Sequence, residues 1–381
     1  MSEWKKVTLD QMGIISRGKS KHRPRNDARL FGGKYPFIQT GDIGTAGLYV
    51  TEYSQTYNEE GLAQSKLWGK DTLCITIAAN IADTALLAFP ACFPDSIMGF
   101  IPYENIANVK FVKYCFDILQ RDCQQISQGT AQDNLSWKKL STILFPCPPI
   151  EVQNKIATIL SRYDSFIENY QKQIKLLEES AQRLYKEWFI DLRFPGHENT
   201  KIVDGVPEGW EKKRVGDIAE FKRGKTITKK EIVEGNIPVV AGGLEPAYYC
   251  NKSNTDDRVI TISGSGANAG FTRMYFEKVW ASDCSYIDCS TTKYLHFIYC
   301  FLKANKTNID NMQKGAAQPH VYAKDINAMD LLLPTNEILN SFERQLTKIY
   351  NSVASIQSQI RLLTEARDRL LPKLMSGEIE V

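Results

Sequence analysis

Apolar residues recur at alternating spacings of four and three along two long stretches of the chain. In the first, Ile156, Leu160, Tyr163, Ile167, Tyr170, Ile174, Leu177, Ala181, Leu184 and Trp188 keep the pattern without a break. In the second, Phe342, Leu346, Ile349, Val353, Ile356, Ile360, Leu363, Leu370 and Leu374 keep it, with Arg367 as the polar member. A seven-residue apolar repeat held for more than four heptads predicts two coiled-coil helices. At ~1.5 Å per residue each would be a rod of roughly 55 Å. The stretches lie 186 positions apart, and QIKLLEESAQRL at 173–184 is nearly repeated as QIRLLTEARDRL at 359–370.

The offset of 186 holds without a gap for more than fifty residues, pairing GTAQ (Gly129 to Gln132) with GAAQ (Gly315 to Gln318) and Pro148 with Pro334. Further upstream ITI at 75–77 matches ITI at 260–262, and the openings match too, with Gly18 fourteen positions after Trp4 and Gly224 fourteen positions after Trp210. One unit is used twice. In each, short apolar runs read as strands: YPFI, TLCITI and ALLAF in the first copy, IPVV and RVITI in the second. An amphipathic helix follows, VKFVKYCFDILQ or KYLHFIYCFLK, and then the long helix. The Gly- and Pro-bearing stretch RFPGHENTKIVDGVPEGW joins the copies. No regular strand and helix alternation appears, so the fold class expected is α+β. It comprises two repeated α/β heads (residues 1–150 and 210–335), a linker at 191–209, and two long helices (151–190 and 336–381) forming an antiparallel coiled coil. Antiparallel pairing of like helices would carry the heads to opposite ends of a strut.

Composition adds limits more than detail. At 381 residues, 43% hydrophobic and 24% charged, the chain suits two or three globular domains. It has no run of about 18 apolar residues to span a bilayer. Its start, MSEWKKVTLD, shows no secretory signal, so a cytoplasmic location is expected. Nine cysteines, none spaced C-x-x-C, fall mostly within apolar runs and read as buried reduced thiols. Four dispersed histidines offer no metal site by spacing. With a net charge of only +3, a polyanion would have to be met by local patches.

Candidate chemistry is sparse. GIISRGKS at Gly13–Ser20 matches the phosphate-loop pattern G-x-x-x-x-G-K-[ST], yet no buried apolar strand precedes it and the repeat copy has Ala219 in place of the first glycine. SGSGANAG after RVITI resembles a dinucleotide loop on paper, but the β-like FTRMYFEKVW follows where a helix is needed, so a hairpin loop is expected. Both copies do share a basic cluster. Arg17, Lys19, Lys21, Arg23 and Arg25 fall within nine residues, and Lys222, Arg223, Lys225, Lys229 and Lys230 stand in the equivalent place. Polar loops GTAQDN, with Gln132 and Asn134, and GAAQPH, with Gln318 and His320, accompany them. Two such clusters on two heads suit a phosphate backbone gripped at two points.

In its order of segments the chain resembles the specificity subunits of type I restriction-modification systems. Each head opens on Trp and a Gly-Lys pair and ends in a G-x-A-Q loop; proline-bearing FPCPPIEVQ or LLLPTNEIL then leads into the heptad helix. The helices close as RLYKEWFIDLRFPG and RDRLLPKLMSGEIEV. One departure is that LLLPTNEIL lacks the Gln often found after the proline. The resemblance implies two target recognition domains, each reading one half of a split site in double-stranded DNA, held apart by the coiled coil. It further implies docking of two modification (methyltransferase) subunits, which carry S-adenosylmethionine, and of motor-nuclease restriction subunits using ATP and Mg. The chain itself would hold no cofactor or metal, perform no catalysis and touch no membrane. The competing readings are a phosphate-loop nucleotide-binding protein and a coiled-coil scaffold that ignores DNA.

Overall fold

The computed structural model describes residues 4–77, 82–126, 140–228, 231–313 and 319–381. The chain divides into two compact units, one built from Met1–Gln171 and Ser358–Val381, the other from Lys172–Gln357.

In the first unit Lys6–Val7 pairs antiparallel with Phe145–Pro146. The main sheet runs in the order Gly13–Arg17, Ile97–Pro102, Leu73–Thr76, Thr84–Leu87, Tyr49–Val50. The strand from TLCITI is buried on both faces, which is why it reads as a continuous apolar run. Side chains alternate across a strand: Leu73 and Ile75 enter one core with Phe100, Phe111 and Phe116, while Cys74 enters another with Trp68 and Phe93. A second sheet contains Gln55–Tyr57, Phe31–Phe37, Ala91–Cys92 and Leu67–Trp68, with Phe37 and Cys92 paired in parallel.

The second unit repeats this plan. Glu211–Arg214 pairs with Asp330–Leu333, Lys212 standing opposite Leu332 as Lys6 stands opposite Pro146 in the first unit. Its main sheet keeps the same order of four strands: Lys222–Arg223, Cys284–Asp288, Val259–Ser263, Thr272–Tyr275. Ile260 and Ile262 enter the larger core and Val259 the smaller. Its accompanying sheet, Tyr248–Cys250, Ile237–Val240 and Trp280–Ala281, again contains a parallel pair, Val239 with Trp280. SGSGANAG is the hairpin loop between Val259–Ser263 and Thr272–Tyr275.

The amphipathic segments form helices Val109–Ile126 and Leu295–Ala304. The long helices are Ile150–Tyr185, extended by a π-helical turn at Lys186–Ile190, and Asn336–Met375. None of the twenty heptad positions is exposed; Ile156, Leu160, Ile167, Leu346 and Val353 are buried, and Ile174, Leu177, Leu184, Ile349, Ile356, Ile360, Leu363 and Leu370 are half-buried. In the first unit Ile156 and Leu160 share a core with Leu371, Leu374 and Met375, while Asp164 meets Arg367, so the helix segments run antiparallel. In the second, Phe342 lies 5.6 Å from Trp188, and Tyr350 lines a groove with Glu178 and Gln182, which is again antiparallel. Each buried Leu or Ile contributes about 1.5–3 kcal/mol.

Two details of the helices go beyond the sequence reading. Arg367, aligned by the repeat with Ala181, would be expected to lay its stem over a small neighbour with its charge in solvent. Instead its Nη1 lies 2.6 Å from Asp164 Oδ1, because Asp164 is only 9% exposed and requires a cation. The Gln missing from LLLPTNEIL has a structural counterpart in Gln153, fully buried, which accepts from Asn108 N and donates to the carbonyls of Ile106 and Pro148. Leu339 stands 186 residues on, buried and apolar, and the helix still begins at Asn336.

Candidate nucleic-acid interface

The shared Arg-Gly-Lys is a strand end pressed against its neighbour. Gly13–Arg17 is itself a strand, not a loop wrapped around phosphate. Gly18 N donates to Ile97 O at 2.8 Å and Lys19 N to Phe93 O at 3.1 Å. In the other unit Gly224 N donates to Cys284 O at 2.8 Å and Lys225 N to Ala281 O at 2.9 Å. A Cβ on either glycine would stand 2.3 Å from a carbonyl oxygen, that of Pro94 or of Ser282. The glycine is therefore required by close backbone approach, and the phosphate-loop resemblance is a by-product of that packing.

The flanking cations project from these strand ends. Arg17, Lys19, Lys21, Arg223 and Lys225 are exposed. Among the described residues none of the five has a carboxylate within 4.0 Å. Arg23 and Arg25 behave differently: Arg25 Nη2 lies 2.5 Å from Asp95 Oδ1, and Arg23 lies 3.8 Å from the same carboxylate while donating to the carbonyls of Ser20 and His22. The first unit's cluster thus separates into three open cations and two that hold the loop in shape. Gln64 completes that support, its Oε1 accepting from Lys21 N at 2.6 Å and His22 N at 3.0 Å, and Ser65 Oγ donates to Lys19 O. Hydrogen bonds from Arg29, then from His22, hold the Asp27 carboxyl far below the usual range, so Arg29 is compensated as well.

In the second unit the hairpin loop closes onto the basic turn. Gly264 N donates to Asp283 O, and Ser265 Oγ donates to the Asp283 carboxylate. Gly266 N donates to Pro319 O and Val321 N to Gly264 O, which brings half-buried His320 opposite Ser265, its ring stacked near Tyr322. Arg223, Lys225, Ser265, Asp283 and His320 thus converge at one end of the four-stranded sheet. Gln132, Asn134, Lys229, Lys230 and Gln318 lie outside the described residues. Sequence reasoning missed Gln64, Asp95 and Asp283, since each reaches the basic turn from a distant strand connection.

A second surface lies on the long helices. Leu176 and Leu362, 186 residues apart, are 65% and 61% exposed. Glu179 pairs with Arg183 and Glu365 with Arg369 at the same spacing beside them. The repeat thus retains an outward Leu-Glu-Arg stripe at positions where folding demands little.

Among the described residues no group of three or more His, Cys, Asp or Glu side chains is arranged to hold a metal, and no helix is long and apolar enough to cross a membrane.

The sequence profile of the type I restriction modification DNA specificity domain matches residues 1–179 and 207–362. The chain belongs to that family. Specificity subunits are the non-catalytic components of type I restriction-modification systems, and curated relatives carry that description. The type I restriction enzyme MjaIX specificity subunit of Methanocaldococcus jannaschii is 27% identical over the whole of this chain and 94% of its own length. The HindI specificity subunit of Haemophilus influenzae is 23% identical over the whole of both chains. A crystal structure of the S subunit of a type I restriction-modification system from M. genitalium shares the fold, with a TM-score of 0.60 at 18% identity over 97% of this chain and 96% of that one.

Proposed function

We propose that this specificity-family chain reads a bipartite site in double-stranded DNA, one half by the head at residues 1–150 and the other by the head at 210–335, with the long helices setting the spacing. The observation that carries the reading is the duplicated strand end. Two units of one topology present Arg-Gly-Lys on the same backbone hydrogen bonds, yet surround it with different loops. Cations on an invariant frame suit phosphates, which are the same in every sequence, while variable loops suit bases. The outward stripes at Leu176 and Leu362 support docking of two copies of one partner, the methyltransferase subunit. S-adenosylmethionine would be carried there, with ATP and Mg on a motor-nuclease subunit. Mapping methylated adenines in cells producing this chain with its methyltransferase subunit tests the reading. A split motif is expected, and exchange of residues 210–335 for the corresponding head of a relative is expected to change one half alone. An unsplit motif, or a change in both halves, overturns it.

A further inference from the structure

Asp283 is out of place on a phosphate-binding surface. It sits in the turn that accepts both backbone bonds of the basic strand end, Gly224 N to Cys284 O and Lys225 N to Ala281 O. On its other side the hairpin loop is fastened to it through Gly264 N. Asp283 is half-buried, and Ser265 Oγ donates to its Oδ2. Among the described residues no cation lies within 4.0 Å of it, and Oδ1 accepts no hydrogen bond. The first unit provides an internal comparison. Asp95 occupies the corresponding turn, between the carbonyls of Phe93 and Ile97 that receive Lys19 N and Gly18 N, but Arg25 at 2.5 Å and Arg23 at 3.8 Å neutralise it. An acid is present in both turns and, among the described residues, left open in one.

An open carboxylate beside Arg223 and Lys225 repels the phosphates those cations attract, unless it has a donor of its own to meet. The donors that duplex DNA presents in its grooves are exocyclic amino groups, cytosine N4 and adenine N6 on the major-groove side. We propose that Asp283 is a base-reading residue of the second unit: its carboxylate, aimed by the Ser265 hydroxyl, accepts a hydrogen bond from the exocyclic amino group of one base of the target. The proposal rests on the reading that this unit binds DNA. It assigns one contact within it, and Ser265 is a positioning residue for that contact.

The test uses the full chain assembled with its methyltransferase subunit and a set of duplexes in which each base pair of the target is replaced in turn. Asp283→Asn keeps the size of the side chain but adds a donor where an acceptor stood. It is expected to lose roughly 5- to 150-fold of discrimination at one base pair, within the half of the site that exchange of residues 210–335 alters. Affinity for unrelated DNA and the other half of the site should be unchanged. Loss at a C·G pair identifies cytosine N4 as the donor, and loss at an A·T pair adenine N6. Ser265→Ala should relax the same position by a smaller factor. If Asp283→Asn weakens binding to all sequences alike, or lowers the melting temperature with base preference intact, the residue only shapes the turn and the proposal is overturned. If head exchange leaves the target of the unaltered protein unchanged, the underlying DNA reading has failed instead, and the two failures are told apart.

Discussion

Arg367 and Asp164 form a 2.6 Å ion pair between the long helices of the first unit, and Tyr114 donates to the same carboxylate at 2.5 Å. Burial, then the adjacent Asp164 charge, pushes the Tyr114 phenol upward, which keeps it a donor. The residues that the repeat aligns with Asp164 and Arg367 are Tyr350 and Ala181, both buried. The polar contact therefore marks one unit and not its copy. A mostly buried pair of this kind contributes little net stability but fixes register, since any slip strands the Asp164 charge. Arg367→Ala is expected to cost about 3 kcal/mol, the lower end for an orphaned buried partner. Asp164→Tyr together with Arg367→Ala, which installs the second unit's solution, should recover most of it. Urea unfolding of the three proteins measures both effects.

The close approaches at Gly18 and Gly224 make a paired prediction. Gly18→Ala or Gly224→Ala drives a methyl to within 2.3 Å of a backbone carbonyl, and overpacking of that kind costs about 1–3 kcal/mol. Gly41→Ala and Gly47→Ala, where no atom lies within 4 Å of the added methyl, should fall within about 0.5 kcal/mol of the parent. Thermal melts of the four variants check this, and equal effects at all four positions would refute the packing argument.

The division of the basic cluster can be read from salt dependence. Arg17→Ala, Lys19→Ala, Arg223→Ala and Lys225→Ala should each weaken binding to every DNA sequence by a similar factor and lower the slope of log affinity against log salt by roughly 0.9. Arg25→Ala should change that slope much less, since its charge is already compensated by Asp95. Titrations at several salt concentrations separate the two classes.

Acid should weaken the second unit through Asp288. Burial raises this carboxyl, but hydrogen bonds from Ser290, Asp256 N and Thr291 outweigh it, and the net shift is downward. A carboxyl depressed in the folded state takes up its proton first in the unfolded chain. The stability it contributes is therefore fully present above about pH 3.9 and is lost as pH falls below that value through the folded one. Asp288→Asn is expected to be less stable than the parent at pH 7 and to converge with it as the folded-state carboxyl takes up its proton in acid. Unfolding midpoints collected from pH 7 to pH 2 provide the check.

Much of this architecture was open to inspection in the order of residues because its signals are local or repeated. A stripe from Ile156 to Trp188 needs only the periodicity of one helix, and its second copy doubles the signal. The contacts that complete the site are of another kind. Gln64 reaches Lys21 across 43 residues and Arg367 reaches Asp164 across 203, and nothing in the spacing of charges says which acid a cation will meet. The same holds for Arg23 and Arg25, which sit in one run with Lys19 and Lys21 yet are tied down by Asp95 through the sheet. Local patterns located the basic turns. Strand pairing decided which of their charges remain open.

The composition of the two units also sets an order of events during synthesis. The second unit is a continuous segment, Lys172–Gln357, whereas the first draws on segments before and after it, with Leu371, Leu374 and Met375 buried in the core that holds Val7 and Leu9. At about 5–20 residues per second, a ribosome reaches Val381 roughly 10–40 s after it has passed Gln171. Through that interval the first unit waits with an incomplete core, exposing the apolar face that the last helix will cover. The unit whose synthesis starts earlier is the later of the two to close.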